Sequence, residues 1–156
     1  MKTRVYIDTS VIGGCFDEEF EEWSNLLMDE IKNGFKIAVI FDITYREIEL
    51  APKNVQSKLF EIPKEYIENI ITDTDVDSLA EKYIAARTIS RKYFEDALHI
   101  ANATIKKADI LASWNFKHIV NIDMIRKYNA VNLMHGYNTI EIRTPREILK
   151  RKDYED

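Results

Sequence analysis

Short, continuously apolar runs alternate along this chain with stretches whose apolar residues recur at helical spacing. Arg4-Val5-Tyr6-Ile7 reads as a buried strand ending on Asp8-Thr9-Ser10, with Gly13-Gly14 after it. Phe20 to Asn33 is a helical stretch, with Trp23, Leu26, Leu27 and Ile31 in phase and Gly34 closing it. Lys36 to Phe41 reads as a second strand, and Ile43 to Leu50 as a helix halted near Pro52. A further helix is expected over Val55 to Phe60, with Pro63 breaking it and a short piece running to Tyr66. Ile70-Ile71 is a weak third strand candidate. Val76 to Ser90 and Phe94 to Lys107 carry the helical pattern, and Asp109 to Ser113 reads as a fourth strand. Asn115 to Asn121 and Met124 to Asn129 are expected to be helical and Tyr137 to Arg143 a fifth strand. Pro145 to Arg151 is expected to form a closing helix with proline in its first turn.

The strand candidates are apolar throughout rather than alternating, and they take turns with helices. Both features predict an α/β fold whose parallel sheet is covered on both faces. With 156 residues, the expectation is a single domain over residues 1–151 and a frayed tail at 152–156. There is no internal repeat, linker or low-complexity stretch.

Composition narrows the picture. Only 4 Gly and 3 Pro, with 46% hydrophobic residues, argue against a disordered chain and against an all-β fold with many tight turns. The lone Cys15 excludes an internal disulfide and reads as a small buried filler in a reducing compartment. His99, His118 and His135 lack H-E-x-x-H spacing. The net charge of −5 weighs mildly against nonspecific nucleic-acid binding. The acids cluster at Asp17-Glu18-Glu19 and Glu21-Glu22, while bases gather elsewhere: Arg87, Arg91 and Lys92, then Lys117, then Arg143 to Lys152. Val5-Tyr6-Ile7 is too short for a secretory apolar segment, and no run is long enough to span a membrane. The expectation is a cytoplasmic protein without a membrane partner.

Ligands of open α/β sheets sit beyond the carboxyl ends of the strands, where the strand order reverses. Asp8 ends the first strand and Asn115 follows the fourth. Asp96 opens the helix leading into the fourth strand, and Glu47 lies on the helix after the second. If the first and fourth strands are neighbours, these positions converge. Crowded carboxylates repel one another unless a cation neutralises them, and Mg²⁺ or Mn²⁺ takes such oxygen ligands. A cation so held supports phosphodiester hydrolysis. Each residue also has a plainer reading. Asp8 would cap a helix beginning at Val11, Asn115 would cap the next one, Asp96 would complement a helix dipole, and Glu47 would face solvent.

Taken in order, these segments resemble the motifs of PIN-domain nucleases. Tyr6-Ile7-Asp8-Thr9-Ser10-Val11-Ile12 is similar to the opening motif. Ile43-Thr44-Tyr45-Arg46-Glu47-Ile48 looks like the second. Glu95-Asp96-Ala97-Leu98-His99-Ile100-Ala101-Asn102-Ala103 resembles the third, and Leu111-Ala112-Ser113-Trp114-Asn115-Phe116-Lys117-His118-Ile119 the fourth. Ile140 to Glu147 is similar to the family's last strand and Thr-Pro turn. The resemblance covers nearly the whole chain. It implies a three-layer α/β/α fold with a five-stranded parallel sheet in order 3-2-1-4-5. It implies Mg²⁺- or Mn²⁺-dependent cleavage of RNA, with Asp8, Glu47 and Asp96 as metal ligands and Ser10 and Ser113 as supporting hydroxyls. Asn115 stands where many members have Asp, which puts a second metal in doubt. Many members are toxins of the VapC kind with a partner antitoxin, and homodimers are common.

Three residues sit beside this set. His99 falls three positions after Asp96 on nearly the same helix face, and is read first as a packed, satisfied histidine. Lys117 and His118 are read equally as RNA-phosphate contacts and as a solvated face. Trp23 and Trp114 are read as core. The competing functions are a catalytically weak or inactive PIN-like nucleic-acid-binding or regulatory module, motivated by Asn115 and the net charge, and a small-phosphate enzyme. The last ranks low because no Gly-rich phosphate loop or Asp-x-Asp start is present.

Overall fold

The computed structural model describes residues 1–150. The expected tail and Arg151, the last residue of the expected closing helix, lie outside the described residues. The central strand β1 (Thr3–Ile7) pairs with β2 (Lys36–Phe41) on one side and with β4 (Ile110–Ala112) on the other. Outside β2 lies β3 (Ile67–Ile70), and outside β4 lies β5 (Ile142–Arg143). Every pairing is parallel and the order is β3-β2-β1-β4-β5. The chain builds outward from β1 to β3, then crosses back to β4, so the order reverses between β1 and β4.

Strand side chains alternate between faces, which explains why a doubly covered strand is apolar at every position. Val5, Ile7, Ala38, Ile40 and Ala112 join one buried cluster, with residues of α1 (Thr9–Gly14), α2 (Glu21–Lys32) and α4 (Lys53–Phe60). Tyr6, Val39, Phe41 and Leu111 join the other, with α5 (Thr74–Ala85), α6 (Phe94–Ile105) and α7 (Ile122–Met134). Helix α3 (Asp42–Glu49) straddles the two, giving Ile43 to one cluster and Ile48 to the other. Each fully buried aliphatic side chain contributes about 1.5–3 kcal/mol relative to exposure. The architecture is thus helices, parallel sheet, helices.

Several elements depart from their expected bounds. The third strand lies at Ile67–Ile70 rather than Ile70-Ile71, because Ala38 to Phe41 pair with Ile67 to Ile70. It is an edge strand without a fully buried residue, so its apolar signal is weak. Helix α5 begins earlier, where the Asp73 carboxylate accepts from Val76 N–H, and stops at Ala85 instead of Ser90. It stops because Arg87 turns left-handed, at φ 59°, and Thr88 N–H bonds back to Tyr83. Residues 115–121 form no helix. Their chain turns so that Ile119 and Val120 N–H both donate to the Asn115 carbonyl. Helix α7 is longer than expected because Asn121 caps it at its start. The fifth strand is only Ile142–Arg143, since the Asn129 side chain occupies both backbone groups of Ile140. The closing element is a 3-10 turn, Pro145–Ile148, held by reciprocal Thr144 and Glu147 capping bonds. No helix of the described residues is long and apolar enough to cross a membrane.

Candidate active site

Asp8 follows β1 directly, its N–H bonded to the Ala112 carbonyl at the end of β4. It therefore stands at the reversal point of the sheet. Its backbone is extended, as an N-cap residue's is, but its side chain makes no capping bond, and α1 starts at Thr9 rather than Val11. The carboxylate is 5% exposed and is held by two hydroxyls instead. Asp8 Oδ2 accepts from Ser10 Oγ at 2.6 Å and from Ser113 Oγ at 2.8 Å. Those serines in turn accept backbone N–H groups, Ser10 from Trp114 and Ser113 from Asn115, both at 2.9 Å. One carboxylate oxygen thus anchors the β4 loop, and Oδ1 is left to face the site. A buried carboxylate requires such donors.

His99, on α6, is 1% exposed. Its Nε2 is 2.7 Å from Glu47 Oε1 and 3.7 Å from Asp8 Oδ1. Its Nδ1 hydrogen-bonds the hydroxyl of Tyr6, a buried β1 residue. Burial pushes the His99 pKa down, but the Glu47 hydrogen bond and the charges of Asp8, Glu47 and Asp96 outweigh it, so the ring is held above its ordinary value. As an imidazolium it donates from Nδ1 to Tyr6 and from Nε2 to Glu47. Burial raises the Glu47 carboxyl, yet the bond and charge of His99 overcome this and hold it low. The Thr9 hydroxyl is buried without a partner in hydrogen-bond geometry, although it lies near enough to help hold Glu47 down. It acts on Glu47 as a neighbouring dipole.

Asp96, in the first turn of α6, behaves oppositely. Burial raises its pKa first and the Asp8 charge next, with partial relief from His99 and His118. Asp8, Glu47 and Asp96 thus all act electrostatically on His99, and Asp8 and Glu47 on Asp96. Their all-oxygen donor set suits a hard divalent cation, and the only partly relieved Asp96 is the group such a cation would settle. With the side chains as they stand, no three His, Cys, Asp or Glu side chains of the described residues are arranged to hold a metal ion.

Asn115 lies beside the serines, but its Oδ1 accepts the His118 N–H at 2.9 Å and shapes its own loop. Lys117 is exposed and His118 half-buried, and the His118 ring stacks on Tyr93 at 4.0 Å. Trp114 is buried and fixed, its Nε1 donating to Ser24 at 2.8 Å. Trp23 is half-buried with Arg146 over its ring. Sequence reasoning undervalued His99. It is buried and satisfied as expected, but its partners are Glu47 and, through Tyr6, the central strand. The signal was its place three residues after Asp96. Nothing in the sequence marked Tyr6.

Gly14 explains how Trp114 can lie so close to α1. A Cβ there would stand 2.6 Å from Ser24 Oγ and 2.8 Å from Trp114 Nε1. Gly14→Ala should therefore lower unfolding stability by about 1–3 kcal/mol and perturb Trp114 fluorescence. An unchanged denaturation midpoint and spectrum would contradict this packing.

The fold is a PIN-like α/β fold with the sheet order 3-2-1-4-5 implied by the resemblance. Among solved structures, the chain is similar to "Crystal structure of VapBC2 from Rickettsia felis bound to a DNA fragment from their promoter". The likeness covers 91% of this chain and 98% of that one, with a TM-score of 0.58 and 14% identity. No protein-family model and no curated protein matches the sequence.

Proposed function

We propose that this protein is a metal-dependent endoribonuclease with Asp8, Glu47 and Asp96 as the ligands of Mg²⁺ or Mn²⁺. The observation behind the reading is the gathering of these carboxylates, remote in sequence, around His99 at the sheet's reversal point. When bound, the cation supplies charge neutralisation at the phosphate and acidifies a water. Asp8, locked by Ser10 and Ser113, presents Oδ1 in a fixed direction. Glu47, which now accepts from His99, would be the second carboxylate to hold the cation. Asp96, whose pKa is raised by burial and the Asp8 charge, would hold the cation as a carboxylate. Buried Tyr6 and His99 exclude water from one side of Glu47 and orient it.

Mn²⁺ and Mg²⁺ titrated into the protein should give saturable binding and metal-dependent cleavage of a mixed RNA panel, both lost in Asp96→Asn. Undiminished cleavage in that variant would sink the proposal. A second reading, a binding module with little turnover, draws on Asn115, whose side-chain oxygen is already engaged by His118. Strong cleavage by the unmodified protein, with no gain in Asn115→Asp, removes it. The resemblance to VapC-type toxins and the fold likeness to VapBC2 support an antitoxin partner. Growth arrest on expression, relieved in the Asp96 variant, is the expected sign, and harmless expression of an active enzyme would count against it.

A further inference from the structure

The loop that anchors Asp8 also builds an aromatic surface. Phe20 stacks on Trp114 at 4.3 Å and 17°, and Phe116 leans on both rings at 6.2 and 6.3 Å. Trp114 cannot shift, because Ser24 and Gly14 hold its indole edge and its backbone N–H is bonded to Ser10. Phe116 is 49% exposed on this rigid base. The Phe116 ring thus offers one open face on a support that Trp114 holds still.

Along the same loop, the Tyr93–His118 pair is flanked by cations. Lys92 Nζ lies 5.6 Å and Lys117 Nζ 5.7 Å from the Tyr93 ring centre. The ion pairs of the described residues include neither lysine. In a chain of net charge −5, two exposed lysines over one ring, outside the ion pairs of the described residues, are a local excess of positive charge. Tyr93 is three residues before Asp96, and Asp96 feels the His118 ring. The aromatic ledge and the cations thus both border the loop that follows β4, whose Trp114 N–H is bonded to Ser10.

We propose that Phe116 is a base-stacking platform for an unpaired RNA strand, whose phosphates lie against Lys92 and Lys117. Duplex bases are stacked on one another and offer no free face, whereas an unpaired base covers an exposed ring and excludes water from it. This rests on the ribonuclease reading and assigns this chain's own residues that would hold its substrate.

The test uses the Asp8→Asn protein in Mg²⁺, so that binding is read without cleavage. The probes are a fluorescein-labelled, mixed-sequence single-stranded RNA and the same RNA annealed to its complement, followed by anisotropy. The single strand should bind more tightly than the duplex. Phe116→Leu, which keeps apolar bulk but no ring, should weaken single-strand binding about tenfold, and Phe116→Trp should retain it. Lys92→Gln with Lys117→Gln should lower the slope of log Kd against log salt by about 1.4. Melting curves matching the parent protein establish that each variant is folded. Equal affinity for strand and duplex, or an unaffected Phe116→Leu, overturns the platform and makes the aromatic ledge a protein-facing surface. No RNA binding by the Asp8→Asn protein overturns the ribonuclease reading as well.

Discussion

Asp8→Asn should reduce metal-dependent RNA cleavage by about three orders of magnitude, the range expected for loss of a positioned catalytic group, with the fold kept. The substitution is nearly isosteric. An amide oxygen still accepts the Ser10 and Ser113 hydroxyls that hold Asp8 Oδ2, so the β4 loop stays anchored. What disappears is the charge that faces the site and raises Asp96. A cation bound at a hundred times its dissociation constant stabilises the native state by about 2.7 kcal/mol, and this gain should vanish in the variant. The paired readout is the cleavage rate and the Mn²⁺-induced rise in Tm, with circular dichroism reporting the fold. Cleavage within tenfold of the parent protein would remove Asp8 from the chemistry.

His99→Ala should give the largest stability loss, about 3 kcal/mol, because it breaks a buried charged contact and strands Glu47 and the Tyr6 hydroxyl. A divalent cation should recover much of that loss, by replacing the missing positive charge between the acids. The pH dependence has a definite sign. The metal-free His99 pKa lies above 6.5, so its stabilisation is complete below that pH and disappears as pH rises through the raised value. Glu47 is held below 4.5, so its contribution is present above that pH and disappears as pH falls through the lowered value. Asp96 lies above 3.8 and favours its neutral form, so rising pH also costs the metal-free fold there. The parent protein should lose stability towards alkaline pH, whereas His99→Ala should lack the histidine part of that decline. Equal alkaline limbs in urea-unfolding titrations would show that His99 carries no charge in the native state.

Charge balance supports a single cation. Asp8, Glu47 and Asp96 ionised, with His99 protonated, leave a deficit that one divalent ion meets. Asn115 adds no charge where an Asp would have. Calorimetric titration with Mn²⁺ should give one ion per chain, and two ions per chain would contradict this balance.

The layered fold was legible because doubly covered strands must be apolar at consecutive positions, as Val5 to Ile7 and Ile37 to Phe41 are. The positions of Asp8, Glu47 and Asp96 could be named from strand ends, helix starts and resemblance. Edges were harder to read. The partly exposed β3, the short β5 and the turn after Asn115 depend on pairing register and on side chains such as Asn129 occupying backbone groups. Local periodicity contains none of that information.

The sequence by itself determined the class of fold, the hydrophobic faces and the acids, since burial and helix periodicity act on neighbours along the chain. Only the tertiary structure decided how those acids are used. It gave Asp8 to two serines rather than to a helix cap, placed His99 against Glu47 and Tyr6, and set Phe116 on a fixed Trp114. Those contacts join residues as far apart as Asp8 and Ser113. They exist because the chain returns to the centre of the sheet at β4, and the crossover to β4 is a property of the whole fold.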